Sequence, residues 1–271
     1  MKQVPPGQFY SDPLQVRLAM AVDAGDVAGV EAAVRDGANV HAWGMDVYSI
    51  LYWAMARRNV AGFEALVKHG ADVTGDYRDP AVIKEKRFRN FIVRLTLEVA
   101  DPGFLEAALR QGLDPDYVLD KNSKESLLFL AGGRHNEPAL RLLLDSGANI
   151  EHQNHLGYTA LGEAMLRCDF KTMWFLMQHG ADPTAKNFVG HDVSWQLKEY
   201  GSRGVLPEQR EYFEKVIDDF VRRGLLTRQD IMEADKPKKA KSGITVIEHA
   251  PDSAAGQAIF RLDQLEREAG K

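Results

Sequence analysis

The chain has 271 residues, 45% apolar and 27% charged, an ordinary globular composition with enough apolar side chains to bury a core. Its net charge of -5 argues against an electrostatic nucleic-acid binder, which carries a clear basic excess. Cys168 is the only cysteine, so no intrachain disulfide can form, and no apolar run approaches the roughly 18 residues of a membrane span.

Residues 1–13 form a lead whose first six residues are neither helical nor apolar enough for an export segment, and they read as a mature or trimmed N-terminus. From residue 14 one phrase recurs: Leu, Val and Ala at helical spacing, then Gly, Ala or Leu, and Asp or Asn before a β-branched residue or proline. It stands at residues 35–40, 68–73, 111–115, 145–150 and 178–183. Its glycines are Gly37, Gly70, Gly112, Gly147 and Gly180, in steps of 33, 42, 35 and 33. Such a period predicts stacked helix-turn-helix units. Each glycine falls where a helix ends and the chain must turn left-handed cheaply. The Asp or Asn after it can bond its own backbone and begin the next turn. Ahead of it, Phe63, Leu66 and Val67, or Leu140, Leu142, Leu143 and Leu144, supply a buried helix face.

A second phrase opens the first helix of a unit. Its fullest form is Gly157-Tyr158-Thr159-Ala160-Leu161-Gly162-Glu163-Ala164, with looser versions at residues 49–54 and 126–131. The hydroxyls of Ser49, Ser126 and Thr159 are placed to cap these helices. The 42-residue step reflects an insertion carrying Arg78, Lys84, Lys86, Arg87 and Arg89 before a helix expected over 91–100. Residues 187–192 begin a sixth unit, whose second helix, 208–223, has a polar face suited to a terminal cap. Residues 226–271 read as a solvated basic linker, a short extended segment at 244–247 and a helix over 254–269 with Ile259, Phe260, Leu262 and Leu265 on its apolar positions. This tail folds back on the repeats or docks on a partner.

No constellation of catalytic residues is visible. His152 and His155 share a turn with Glu151 as the only nearby carboxylate, short of the three or four ligands that a metal site needs. No nucleophile elbow or phosphate-cradling glycine loop occurs. His69 and His179 precede helix-ending glycines, where a cation complements the helix dipole. Cys168 reads as a small buried apolar residue. The expectation is a non-enzyme with no cofactor and no metal.

Together the two phrases resemble the ankyrin-repeat family, over roughly residues 14–225. The link at 24–27 matches the one between that family's two helices, and 58–60 is an eroded form. None of the opening phrases keeps the family's proline and histidine, which marks these units as divergent. The resemblance implies an all-α ankyrin-repeat solenoid of about six helix-turn-helix units with a short C-terminal extension. It also implies a protein-binding face made of turn tips and the exposed sides of the first helices. Mapped by the phrases, that face comprises Trp43, Met45, Tyr48, Trp53, Arg57, Tyr117, Leu130, His155, Tyr158, Glu163 and Phe188, with Arg78 and Arg87 from the basic insertion as further contacts. For Trp53 and Tyr48 the alternative is packing against a neighbouring repeat or under the tail.

The opening Phe9-Tyr10-Ser11-Asp12-Pro13-Leu14 is similar to the mature start of exported bacterial ankyrin proteins, some of them lipoproteins encoded beside phospholipase effectors of the type VI secretion system. That resemblance implies an immunity protein in the periplasm, with a lipid anchor as an option, which inhibits one secreted toxin or effector enzyme. The alternative is a general scaffold or adaptor, or a host-directed effector, with a cytoplasmic location open as well.

Overall fold

The computed structural model describes residues 5–42, 44, 49–75, 90–99 and 101–236. The basic insertion with Arg78 and Arg87, and the tail segments 244–247 and 254–269, lie outside the described residues. The chain divides into two compact units, Met1–Asn149 and Ile150–Lys271.

The first unit contains four helix pairs: α1 (Pro13–Ala24) with α2 (Val27–Arg35), α3 (Ile50–Ala56) with α4 (Val60–Lys68), α5 (Phe91–Glu98) with α6 (Gly103–Arg110), and α7 (Leu127–Gly133) with α8 (Glu137–Asp145). The second unit contains α9 (Ala160–Leu166) paired with α10 (Phe170–Gln178), then α11 (Val193–Tyr200), α12 (Arg210–Arg222) and α13 (Arg228–Asp235). Here α12 packs on α10, and α13 packs on α11. Most of these helices are too short to persist alone in water, so each is stabilised by the apolar face that it buries against its neighbours. Edge-to-face aromatic pairs mark the contacts between successive repeats: Phe63 with Phe104 at 5.3 Å and Phe170 with Phe213 at 5.0 Å between centroids.

The helix ends follow the sequence closely. Gly37, Gly70, Gly112, Gly147 and Gly180 all have positive φ, between 91° and 107°. The residue after each donates its N–H back to the helix: Ala38 to Ala33, Ala71 to Leu66, Leu113 to Ala108, Ala148 to Leu143 and Ala181 to Leu176, at 2.9–3.0 Å. The next side chain then turns the chain, as expected: Asn39, Asp72, Asp114 and Asp182 each accept from the N–H two residues on, at 2.8–2.9 Å.

The joint inside four of the five pairs, all but α5–α6, uses a second left-handed residue. Gly25 takes it at φ 65°, but the equivalent Arg58, His135 and Cys168 adopt 55°, 53° and 53° with a Cβ in place. The residues that follow cap the second helix, with Asp26, Asn59, Asn136 and Asp169 accepting from Gly29, Gly62, Ala139 and Thr172 at 2.9–3.1 Å. Asn59 and Asn136 do more, because their amide N–H groups reach the preceding repeat and donate to the carbonyls of Asp23 at 3.3 Å and Leu97 at 2.8 Å.

Ser49 and Thr159 cap α3 and α9 as expected, accepting from Tyr52 and Gly162. Ser126 does not. Its hydroxyl is buried and finds no hydrogen-bond partner among the described residues. A short hairpin holds that helix start instead, with β1 (Val118–Asp120) antiparallel to β2 (Glu125–Ser126) and Val118 paired to Ser126.

Helical packing continues past residue 225. Where the sequence suggests a linker, α13 is a packed helix with Leu226, Ile231 and Ala234 buried. A reciprocal capping box of Thr227 and Asp230 starts it, and the Asp235 carboxylate accepts from the Ser202 N–H at 2.6 Å. The Thr227 amide and hydroxyl, which bond the Asp230 carboxylate, hold it below its ordinary range. A depressed carboxylate stabilises the folded form above its unfolded pKa and loses that contribution as pH falls through the folded value.

Two predictions test these joints. Arg58→Gly removes a strained Cβ from an exposed position and should raise stability by about 0.5–1 kcal/mol in urea titrations. Asn136→Asp keeps the cap acceptor but loses the donor to Leu97, so it should destabilise by about 1 kcal/mol, whereas an Asp at position 59 or 136 with unchanged stability would show the inter-repeat bond to be inert.

Candidate functional site: the turn-tip ridge

In the second unit two turns are built identically from the side chain of a buried asparagine. The Asn154 carbonyl accepts from the N–H groups of Leu156 at 2.9 Å and Tyr158 at 3.0 Å, and its own N–H closes on the Tyr158 carbonyl at 2.9 Å. Asn187 repeats the pattern with Val189 at 3.1 Å and His191 at 3.0 Å, closing on the His191 carbonyl at 3.0 Å. A short amide side chain thus satisfies the turn from inside and leaves the two residues after it pointing outward.

The second turn sits on the first. The Phe188 N–H donates to the Leu156 carbonyl at 3.2 Å, and the Gln153 side chain donates to the Lys186 carbonyl at 3.0 Å. Gly157 makes the approach possible: at φ 80° it is left-handed, and a Cβ there would lie 2.6 Å from the Phe188 nitrogen and 2.7 Å from its ring. The outcome is an exposed apolar ridge, with Leu156 at 52%, Phe188 at 68% and Val189 at 72% exposure, beside the exposed His155. At its edge the His191 ring stacks on the half-exposed Trp195, with centroids 3.4 Å apart. Contiguous exposed apolar surface on fixed turns is a solubility cost unless something binds it.

Of the residues that the sequence points to, the structure brings His155 and Phe188 to this ridge. Tyr158 is half-buried, its ring against Gly162 at the start of α9, and Glu163 pairs with Arg167 along α9 at 3.2 Å. Leu130 is half-buried on α7. The Tyr117 hydroxyl donates to Asn90 at 2.7 Å, which braces the left-handed residue that opens α5. Trp53 is packed rather than presented, at 5% exposure. Its indole N–H donates to Asp23 at 2.6 Å, and the Arg57 guanidinium lies 4.4 Å over its ring and 3.3 Å from the same carboxylate. Trp43, Met45, Tyr48, Arg78 and Arg87 lie outside the described residues. Leu156 and Val189 were missed by the sequence reading. The signal was available, because each stands two residues after its turn asparagine, 33 positions apart (189 − 156).

No helix of the described residues is long and apolar enough to cross a membrane, and among them no group of three or more His, Cys, Asp or Glu is placed to hold a metal.

Comparison with known proteins agrees with this architecture. Residues 96–187 match the family model for ankyrin repeats, in three copies. No curated protein matches the chain. Among solved structures, an ankyrin repeat domain from Acinetobacter baumannii AYE is similar at 19% identity and TM-score 0.50, covering 80% of this chain and 96% of its own. The ankyrin repeat protein EF0377 is 22% identical with TM-score 0.48, over 73% of this chain and 93% of its own. The human ASB11 ankyrin repeat domain is 16% identical with TM-score 0.42, over 84% and 100%. The fold is an ankyrin-repeat solenoid. Ankyrin repeats generally mediate protein–protein interaction, and the fold is typically non-enzymatic.

The ridge depends on Gly157. Gly157→Ala should push Phe188 off its seat and destabilise the chain by about 1–3 kcal/mol in chemical denaturation, while Phe188→Ala, at an exposed tip, should leave stability within about 0.5 kcal/mol.

Proposed function

We propose that the chain is a protein-binding module whose Leu156–Phe188–Val189 ridge seats one protein partner, and that within this class it acts as an immunity protein that blocks a secreted toxic effector. The observation that carries the binding role is an exposed apolar ridge on turns locked from inside by buried Asn154 and Asn187. Such a surface is formed before the partner arrives, so little ordering entropy is lost on association. An exposed aromatic flanked by aliphatic side chains has the chemistry of a binding hot spot. His155 and Tyr158 belong to the first of these turns and add polar groups beside the apolar tips.

The inhibitor reading is supported by the likeness of residues 9–14 to exported bacterial ankyrin proteins and by a preformed surface, which suits a single tight partner. Under this reading the protein works in the periplasm. A scaffold with exchanging partners is the competing class, and affinity separates the two: an inhibitor of a toxin requires nanomolar binding or better, about -12 kcal/mol.

Affinity capture from the native cell with the full chain as bait, read by mass spectrometry, tests the proposal. One stoichiometric partner with a hydrolase or other toxic activity, silenced on addition of the chain, is the expected result. Several substoichiometric partners would give the scaffold instead. Against the captured partner, Phe188→Ala and Leu156→Ala should each weaken binding by more than about 1 kcal/mol. Unchanged affinity in both moves the interface away from the ridge.

A further inference from the structure

The first unit holds an aromatic cluster that its own N-terminal lead covers. Trp53 on α3 is fixed from below by the repeats: its indole N–H bonds the Asp23 carboxylate of α1 at 2.6 Å, and Arg57 lies over the ring at 4.4 Å. These three groups contact one another directly. Above them the ring of Phe9 meets Trp53 edge-on at 4.9 Å between centroids, and Tyr10 meets it edge-on at 6.2 Å. Gly44 leaves room for the lead, since a Cβ there would lie 3.1 Å from the Phe9 carbonyl oxygen and 3.3 Å from the Tyr10 ring.

The lead packs against α1, while its backbone hydrogen bonds close within it. Its single turn, Pro6–Gln8, buries no residue, and the N–H groups of Gln8, Phe9 and Tyr10 close on Pro5 and Pro6 within the lead itself. Two aromatic side chains are its described anchors on Trp53. One of them is imperfect: the Tyr10 hydroxyl is buried and finds no hydrogen-bond partner among the described residues. Burial, with Asp23 close by, also pushes that phenol well above its ordinary pKa, so ionisation offers it no relief. A buried hydroxyl without a partner opposes docking. The aromatic cradle is therefore better satisfied than its occupant.

We infer that the lead is a displaceable strap over a second binding site, the Asp23–Trp53–Arg57 cradle, and that the outside ligand is a short peptide segment with two adjacent aromatic side chains that take the places of Phe9 and Tyr10. Trp and Arg side by side are the residue types that dominate binding hot spots. The edge-to-face geometry selects aromatic rings over aliphatic chains. A ligand with phenylalanine in the place of Tyr10 fills the same volume without burying an unpaired hydroxyl, so it outcompetes the strap. This site is independent of the ridge around Phe188 and does not rest on the immunity reading.

The test uses the full chain and a synthetic peptide of residues 1–12 as the probe. In the variant Phe9→Ala/Tyr10→Ala the strap keeps its length but loses its anchors. Calorimetry should show the peptide binding to this variant at least tenfold more tightly than to the unmodified chain, where the strap competes. A peptide carrying Tyr10→Phe should bind at least threefold more tightly than the native peptide, and one carrying Phe9→Ala at least tenfold more weakly. Trp53→Leu in the anchor-less variant should abolish binding. Hydrogen exchange on the unmodified chain gives a reading that does not depend on any variant folding: the amides of Gln8, Phe9 and Tyr10 should exchange at least a hundredfold faster than those inside α1 and α3. Exchange in the lead as slow as in those helices makes the lead part of the core and overturns the proposal. A folded anchor-less variant that ignores the peptide overturns it equally, and a Tyr10→Phe peptide that binds more weakly refutes the ligand assignment.

Discussion

Most of the helices here have only seven to nine residues and cannot sustain themselves, so each unit depends on packing its helices upon one another in a fixed register. Burial supplies the driving force, but it is non-directional and would tolerate a slip. Register is specified by single side chains that serve two elements at once. Asn59 and Asn136 each accept from their own helix and donate to a carbonyl of the preceding repeat. An amide can do both, whereas a carboxylate carries no proton to donate. Asp26 and Asp169 stand at the same joint in the first helix pair of their respective units and cap its second helix.

The same economy shapes the tips. Asn154 and Asn187 are buried, yet they determine what is exposed, because they fix the turn so tightly that the following residues have nowhere to go but outward. Leu156, Phe188 and Val189 gain no stability from that position. Aromatic residues in one chain therefore meet opposite fates by register alone. Phe188 follows a turn asparagine and is open, whereas Trp53 falls inside α3, where Asp23, Arg57 and the lead enclose it.

This division also marks what could be read from the sequence. The five repeat glycines, the side-chain turns after four of them and the caps at Ser49 and Thr159 depend on neighbours within six residues, and these are legible in the sequence. The 118–126 hairpin was not, because a two-residue pairing leaves no periodic trace, and it displaced the cap expected of Ser126. Nor was α13, although Thr227 and Asp230 spell a capping box; the lysines that follow at 236–241 drew the boundary early. For Trp53 the local pattern leaves presentation and packing both open, because its burial depends on Asp23, 30 residues away, and on Phe9 in the lead. At the ridge, the repeat points to Phe188 and His155, but that Leu156 and Val189 share their exposure depends on the turn geometry.

An open surface and a covered one differ in what association must overcome. The ridge is populated in its binding form all the time, so its contacts count in full toward affinity. A cradle covered by its own chain is competent only in the fraction of molecules whose strap is displaced, and the apparent dissociation constant rises by the reciprocal of that fraction. A strap displaced in about one molecule in a hundred weakens a ligand about a hundredfold, or about 2.7 kcal/mol. Weak casual ligands, worth little more than that, are excluded, while a ligand with two well-fitted aromatic rings is not. The unpaired Tyr10 hydroxyl matters here because it lowers the strap's hold without altering the cradle, and so sets how strong a ligand must be to enter.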